Sequence, residues 1–126
     1  MLLLACAVPC LAGVESQAIL QTAPLAGYQF HAGRAVYPLL RVGERLSLHR
    51  EPDNPYDPRA VRVDWRGVQL GYVPRLDNLD LARLMDRGVQ VEARILHLEP
   101  SRNPWRRVLL EIVVTEEEAE PAATVK

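Results

Sequence analysis

Between Glu51 and Pro58 the sequence reads EPDNPYDP, which sets an aromatic, Tyr56, directly before a carboxylate, Asp57, with Arg50 and Arg59 close on either side. Those residue types fit one kind of chemistry. An aromatic face stacks on an unpaired base, a guanidinium neutralises phosphate, and a carboxylate accepts a hydrogen bond from a sugar hydroxyl. The same residues also have plainer uses. Asp53 and Asp57 could pair as general acid and base, but Asx-turns that cap the loop's own backbone are the preferred reading. Tyrosines in proline-rich loops usually just pack.

Other chemistry is not written in the chain. His31, His49 and His97 share no ligand spacing and have no cysteine neighbours, so no metal site is expected. No G-x-S-x-G surrounds Ser16, Ser47 or Ser101, and neither a phosphate loop nor G-x-G-x-x-G occurs. No cofactor is expected, and the chain is read as a binding module rather than an enzyme. Cys6 and Cys10 are the two cysteines, so everything from Leu11 onward lacks thiols for a disulfide or a zinc site.

The elements that would position these residues are short. A chain of 126 residues is too small for a TIM barrel or a full dinucleotide-binding fold, which take roughly 200 or more. Alternation of apolar and polar residues marks strands at Gly27–Gly33, Glu44–Arg50, Val61–Trp65, Val68–Val73, Val89–Ile95 and Val108–Val114. Arg66-Gly67 would turn the third into the fourth, although Asn-Gly is the stronger hairpin signal. In the first strand Tyr28, Phe30 and Ala32 would share one face. Three prolines make Glu51–Pro58 a shaped loop. A helix is expected over Leu79–Arg87, capped by Asp77 or Asn78 and ended by Gly88. The pattern is mostly β: a small antiparallel barrel or sandwich of about six strands with one short inserted helix.

The ends differ from this core. Residues 1–18 begin MLLLACAVPCLA, an apolar run too short to span a membrane and of the length of a signal-peptide core. Cleavage would fall after Ala12 or Ala18 and would make the protein periplasmic or secreted, with no membrane association afterwards; without cleavage it would be cytoplasmic. Residues 19–26 read as an extended lead-in and 27–115 as the folded domain. That domain holds 14 Arg against 11 Asp and Glu, whereas residues 116–126 hold four Glu against one Lys. A mildly basic core thus carries an acidic tail that is expected to be disordered. Whether Arg34, Arg41, Arg75 and Arg102 converge on the loop is left open by the sequence.

The run Arg50 to Val63, REPDNPYDPRAVRV, is followed by Leu70-Gly71-Tyr72-Val73-Pro74 and preceded by Gly27-Tyr28-Gln29-Phe30-His31-Ala32-Gly33. Together these segments resemble the HIRAN domain family, across about residues 27–114. The resemblance implies an OB-like β-barrel that binds single-stranded DNA at a free 3′ end. It implies that Asp57 receives the 3′-hydroxyl while Tyr56 and Phe30 stack on terminal bases. Asn54 would hold the loop's shape or touch the strand. His31 stands where the family has a second tyrosine, and Gln29 where it has a phosphate-binding arginine. A monomer is expected. The competing expectation is an exported protein-interaction domain that kept the barrel without the DNA binding.

Overall fold

The computed structural model describes residues 16–116. The signal-peptide expectation, apart from residues 16–18, and the acidic tail, apart from Glu116, therefore lie outside the described residues. Six strands form one antiparallel sheet: β1 (Ser16–Pro24), β2 (Arg45–Glu51), β3 (Ala60–Trp65), β4 (Val68–Tyr72), β5 (Val91–Leu98) and β6 (Val108–Glu116). Their order across the sheet is β1-β6-β5-β2-β3-β4. Helix α1 (Gly33–Val36) precedes β2, and α2 (Leu79–Asp86) lies between β4 and β5. This is the mostly β architecture that the alternation implies, and it is OB-like as the family resemblance implies.

Period-2 alternation turns one row of each strand inward. Val61 and Val63 of β3, Leu70 of β4, Ala93 and Ile95 of β5, and Leu110 and Ile112 of β6 are all buried together. From α2, Leu81 and Ala82 join them. Bulges at Ile19/Gln21, Val63/Asp64 and Ile95/His97 bend the strands and let a single sheet curl around this core.

The ladder itself does not close. Instead Ala26, just beyond β1, exchanges two 2.8 Å backbone hydrogen bonds with Tyr72 at the end of β4. Gly71 allows that approach, because a side chain there would run into the Ala26 carbonyl oxygen.

Three local outcomes refine the sequence reading. The lead-in at 19–26 is extended but not idle: it lies largely within β1, whose Ile19 pairs with Val113 and Ala23 with Leu110. Pro24 is tolerated there because β1 is an edge strand. Arg66 and Gly67 both take positive φ, 47° and 81°, so the hairpin turn is the two-residue type in which both residues are left-handed. Gly88 ends α2 as expected: its N–H bonds to the Met85 carbonyl while that of Val89 bonds to Leu84, the Schellman pattern. Val89 is thereby spent on the helix end, and β5 starts at Val91.

The expected strand at Gly27–Gly33 is not there. Gly27 adopts φ 71°, and Tyr28–Phe30 form a 3-10 turn closed by the Phe30 N–H on the Gly27 carbonyl. Three residues per turn put i and i+2 on different sides. Tyr28 therefore enters the core while Phe30 stands out in solvent, rather than both sharing a face.

The Ala26–Tyr72 bridge generates a direct expectation. Replacing Gly71 by Ala should cost about 1–3 kcal/mol, the usual range for overpacking. An unchanged urea midpoint would contradict the close approach.

Candidate functional site

The segment Pro52–Arg59 joins β2 to β3 without strand or helix, so side chains must satisfy its backbone. Asn54 does most of this. Its Oδ1 accepts the N–H groups of Tyr56 (2.8 Å) and Asp57 (3.2 Å), and its Nδ2 donates to Glu51 Oε1 (3.0 Å). Glu51 is a hub. The same Oε1 accepts the Tyr72 hydroxyl at 2.8 Å, and Oε2 accepts Arg62 Nη1 at 3.1 Å. Arg62 is fixed in turn by a fork onto Asp64 (3.0 and 3.2 Å). Burial would raise the Glu51 pKa, but the Asn54 and Tyr72 hydrogen bonds and the Arg62 charge outweigh it and hold it below the ordinary value.

Arg50 fastens the loop from the other side. Its guanidinium forks onto Asp86 of α2 at 2.9 and 3.0 Å and donates to the carbonyls of Pro58 and Ala60 at 3.1 Å. Its charge is thus matched inside the protein.

Asp57 is 8% exposed. Its Oδ1 accepts the Arg59 N–H at 2.9 Å, an Asx-turn as the sequence suggested, and its Oδ2 accepts Asn78 Nδ2 at 2.7 Å. The Arg59 Nε lies 4.0 Å from Oδ1. Burial alone would raise the Asp57 pKa, but these donors and the Arg75 and Arg59 charges hold it below the usual carboxylate value. Kept ionised, Asp57 accepts hydrogen bonds and has no proton to give.

Around Asp57 opens a groove of about 840 Å³. The proline-rich loop forms one wall; Phe30 and His31 line it with Ala26 and Gly27, and Tyr72, Val73 and Arg75 complete it. The His31 ring meets Tyr72 edge-on, with centroids 5.7 Å apart. Two large aromatics face solvent here, Phe30 at 79% and Tyr56 at 86% exposure. Packing does not explain either, which removes the plainer reading of Tyr56.

Of the residues singled out from sequence, Phe30, His31, Arg50, Asn54, Tyr56 and Asp57 all line this groove. Arg59 reaches Asp57 through its N–H and guanidinium but is not part of the lining. Arg75 is the one arginine of the four left open that does line it; Arg34, Arg41 and Arg102 do not.

Asn78, Glu51 and Tyr72 were not legible as site residues. Asn78 is the N-cap residue of α2, as expected, but its side chain is buried, makes no cap hydrogen bond and orients Asp57 instead.

The model of the HIRAN domain family matches residues 20–117. This chain belongs to the HIRAN domain family. Among solved structures, this HIRAN chain is similar to a protein from Lactobacillus plantarum, at 28% identity and TM-score 0.72, over 82% of this chain and 99% of that one. It is also similar in fold to the HIRAN domain of human HLTF in a crystal structure, at 23% identity and TM-score 0.62, over 81% of each chain. An NMR structure of the HLTF HIRAN domain gives 22% identity and TM-score 0.51. No curated protein matches the sequence.

Two outcomes are expected from this geometry. Tyr56→Ala and Phe30→Ala should each change stability by no more than about 0.5 kcal/mol in a denaturant titration, as exposed side chains do. A loss of several kcal/mol would mean that the ring packs. Because the Asp57 and Glu51 pKa values are lowered on folding, their stabilisation is complete above about pH 5 and is lost as pH falls through the folded values. Melting temperature should therefore drop on acidification below that point, and Glu51→Gln should flatten the drop while lowering the plateau. Parallel profiles would contradict the hub.

Proposed function

We propose that this HIRAN domain is a non-catalytic module that binds single-stranded DNA by its 3′-hydroxyl end. One observation carries the reading: a nearly buried, ionised carboxylate lies at a groove whose exposed large apolar side chains, Phe30 and Tyr56, are both aromatic. Asp57 spends two acceptor positions on Arg59 and Asn78, and a carboxylate offers about four. A terminal hydroxyl can donate to one that remains. Tyr56 and Phe30 supply faces for the last bases, His31 and Tyr72 a further aromatic edge, and Arg75 a cation at the rim. Family membership supports the same assignment.

Arg50 serves by fixing the loop, since its charge is already met by Asp86. Arg59 holds Asp57 through its N–H. Base-stacking energy rather than a strongly basic surface would therefore carry most of the affinity.

Fluorescence polarisation with labelled oligonucleotides tests this. A free 3′-hydroxyl should bind at least about tenfold better than a 3′-phosphate, the scale of a hydrogen bond to a charged group. Asp57→Ala should abolish that preference, and Tyr56→Ala or Phe30→Ala should cost about 1–3 kcal/mol of affinity each. Equal binding of blocked and free ends would defeat the Asp57 assignment. No binding at low salt would leave a barrel with an architectural motif and favour an exported interaction domain.

A further inference from the structure

His31 directly follows Phe30 at the end of the 3-10 turn, and both residues line the groove. It differs from the other two histidines. His49 has Asp64 at 3.3 Å and His97 has Glu99 at 3.8 Å. Among the described residues neither ring nitrogen of His31 has a hydrogen-bond or ion-pair partner. The ring is nonetheless seated. It meets Tyr72 edge-on, with centroids 5.7 Å apart, and Glu51 fixes Tyr72 in turn through its hydroxyl at 2.8 Å. The Cδ2–Nε2 edge lies beside Gly27, where a Cβ would stand 3.7 Å from both atoms. An imidazole with its hydrogen-bonding capacity unspent is thus held at the groove.

The charged groups that line the groove with it are Arg50, Glu51, Asp53, Asp57 and Arg75. Arg50 is matched by Asp86 and Glu51 by Arg62, while Asp57 has the Arg59 guanidinium at 4.0 Å. Ala26 and Gly27 bring no charge, and β4 brings only the Tyr72 hydroxyl, whose pKa is raised by burial and by its bond to Glu51. Two arginines and three carboxylates therefore line the groove before any strand enters. Each nucleotide of a strand adds a phosphodiester anion. A groove with carboxylates in excess needs a further cation, and histidine is the side chain that gains one between about pH 5 and 8. An imidazolium donates from both nitrogens and still lies favourably against a tyrosine ring.

We propose that His31 takes up a proton as the strand enters and, as imidazolium, holds the phosphodiester next to the captured 3′ end. This rests on the strand-binding reading above and adds to it the group that neutralises the phosphate. The Cα of His31 is one peptide, about 3.8 Å, from that of Phe30, so a nucleotide stacked on Phe30 has its phosphate within reach of the imidazole. Phosphate favours the charged ring, and by reciprocity the charged ring binds the strand more tightly. Affinity therefore increases as pH falls, over the range in which Asp57 remains a carboxylate.

Calorimetric titration with unlabelled octathymidylate carrying a free 3′-hydroxyl tests this at pH 6 and pH 8. Neither thymine nor the phosphodiester titrates in that window, and the lowered pKa values of Asp57 and Glu51 keep both ionised. The wild type should bind about fivefold or more tighter at pH 6, on the scale of a charge-assisted hydrogen bond gained. At pH 7 its binding heat should vary with the ionisation enthalpy of the buffer in the sense of proton uptake. His31→Gln, with no charge to gain, should bind equally at both pH values and take up no proton. His31→Lys, charged throughout, should also lose the pH dependence, yet bind more tightly than His31→Gln at both.

Equal wild-type affinity at the two pH values, or a pH dependence that survives in His31→Gln, would overturn the assignment while leaving strand binding intact. No binding at either pH would overturn the strand reading, and this assignment with it.

Discussion

The site depends on one constraint: a proline-rich loop with no ladder to join must have its backbone groups satisfied by side chains. Glu51 and Asn54 meet that demand together, one anchoring to Tyr72 and Arg62, the other turning its amide to the N–H groups of Tyr56 and Asp57. Asp57 is thereby held rigidly beneath the groove. Tyr72 links the loop to the Ala26 bridge, so barrel shape and loop shape are fixed by neighbouring bonds. A carboxylate aimed in this way loses little freedom when a ligand arrives, which is how preorganisation becomes affinity.

The electrostatics keep the carboxylates of the site ionised. Burial alone would raise the Asp57 pKa. The Arg59 N–H, the Asn78 amide and the nearby arginines reverse that effect and keep the anion. The exposed rings of Phe30 and Tyr56 carry a hydration cost in the free protein that a stacked base would relieve. Arg50 and Arg62, which a count of charges would credit to a basic surface, are matched internally by Asp86, Asp64 and Glu51.

Much of the barrel could be read from alternation, because β5 buries Ala93 and Ile95 and β6 buries Val108, Leu110 and Ile112, rows that a one-residue slip would expose. The shaped loop was equally plain, since three prolines exclude regular structure. The segment at Gly27–Gly33 misled because Tyr28, Phe30 and Ala32 alternate like a strand, while the left-handed Gly27 redirects the chain into a 3-10 turn. Asn78 misled in another way. Its position before α2 is that of a helix cap, and only the tertiary fold shows that its amide faces Asp57, 21 residues away. Tyr56 and Asp57 stood out from the residue types of the loop and Phe30 through the family resemblance; Asn78 and the Glu51–Tyr72 bond carry no short-range signal, because their partners are distant in sequence.

The most direct measurement is the affinity of the protein for two oligonucleotides of one sequence, ending in a 3′-hydroxyl or in a 3′-deoxy nucleotide. Only the one hydroxyl differs, so neither charge nor stacking changes. Tighter binding of the hydroxyl end, lost in Asp57→Asn, is what the account predicts. Equal affinities for the two ends in the wild type would contradict it.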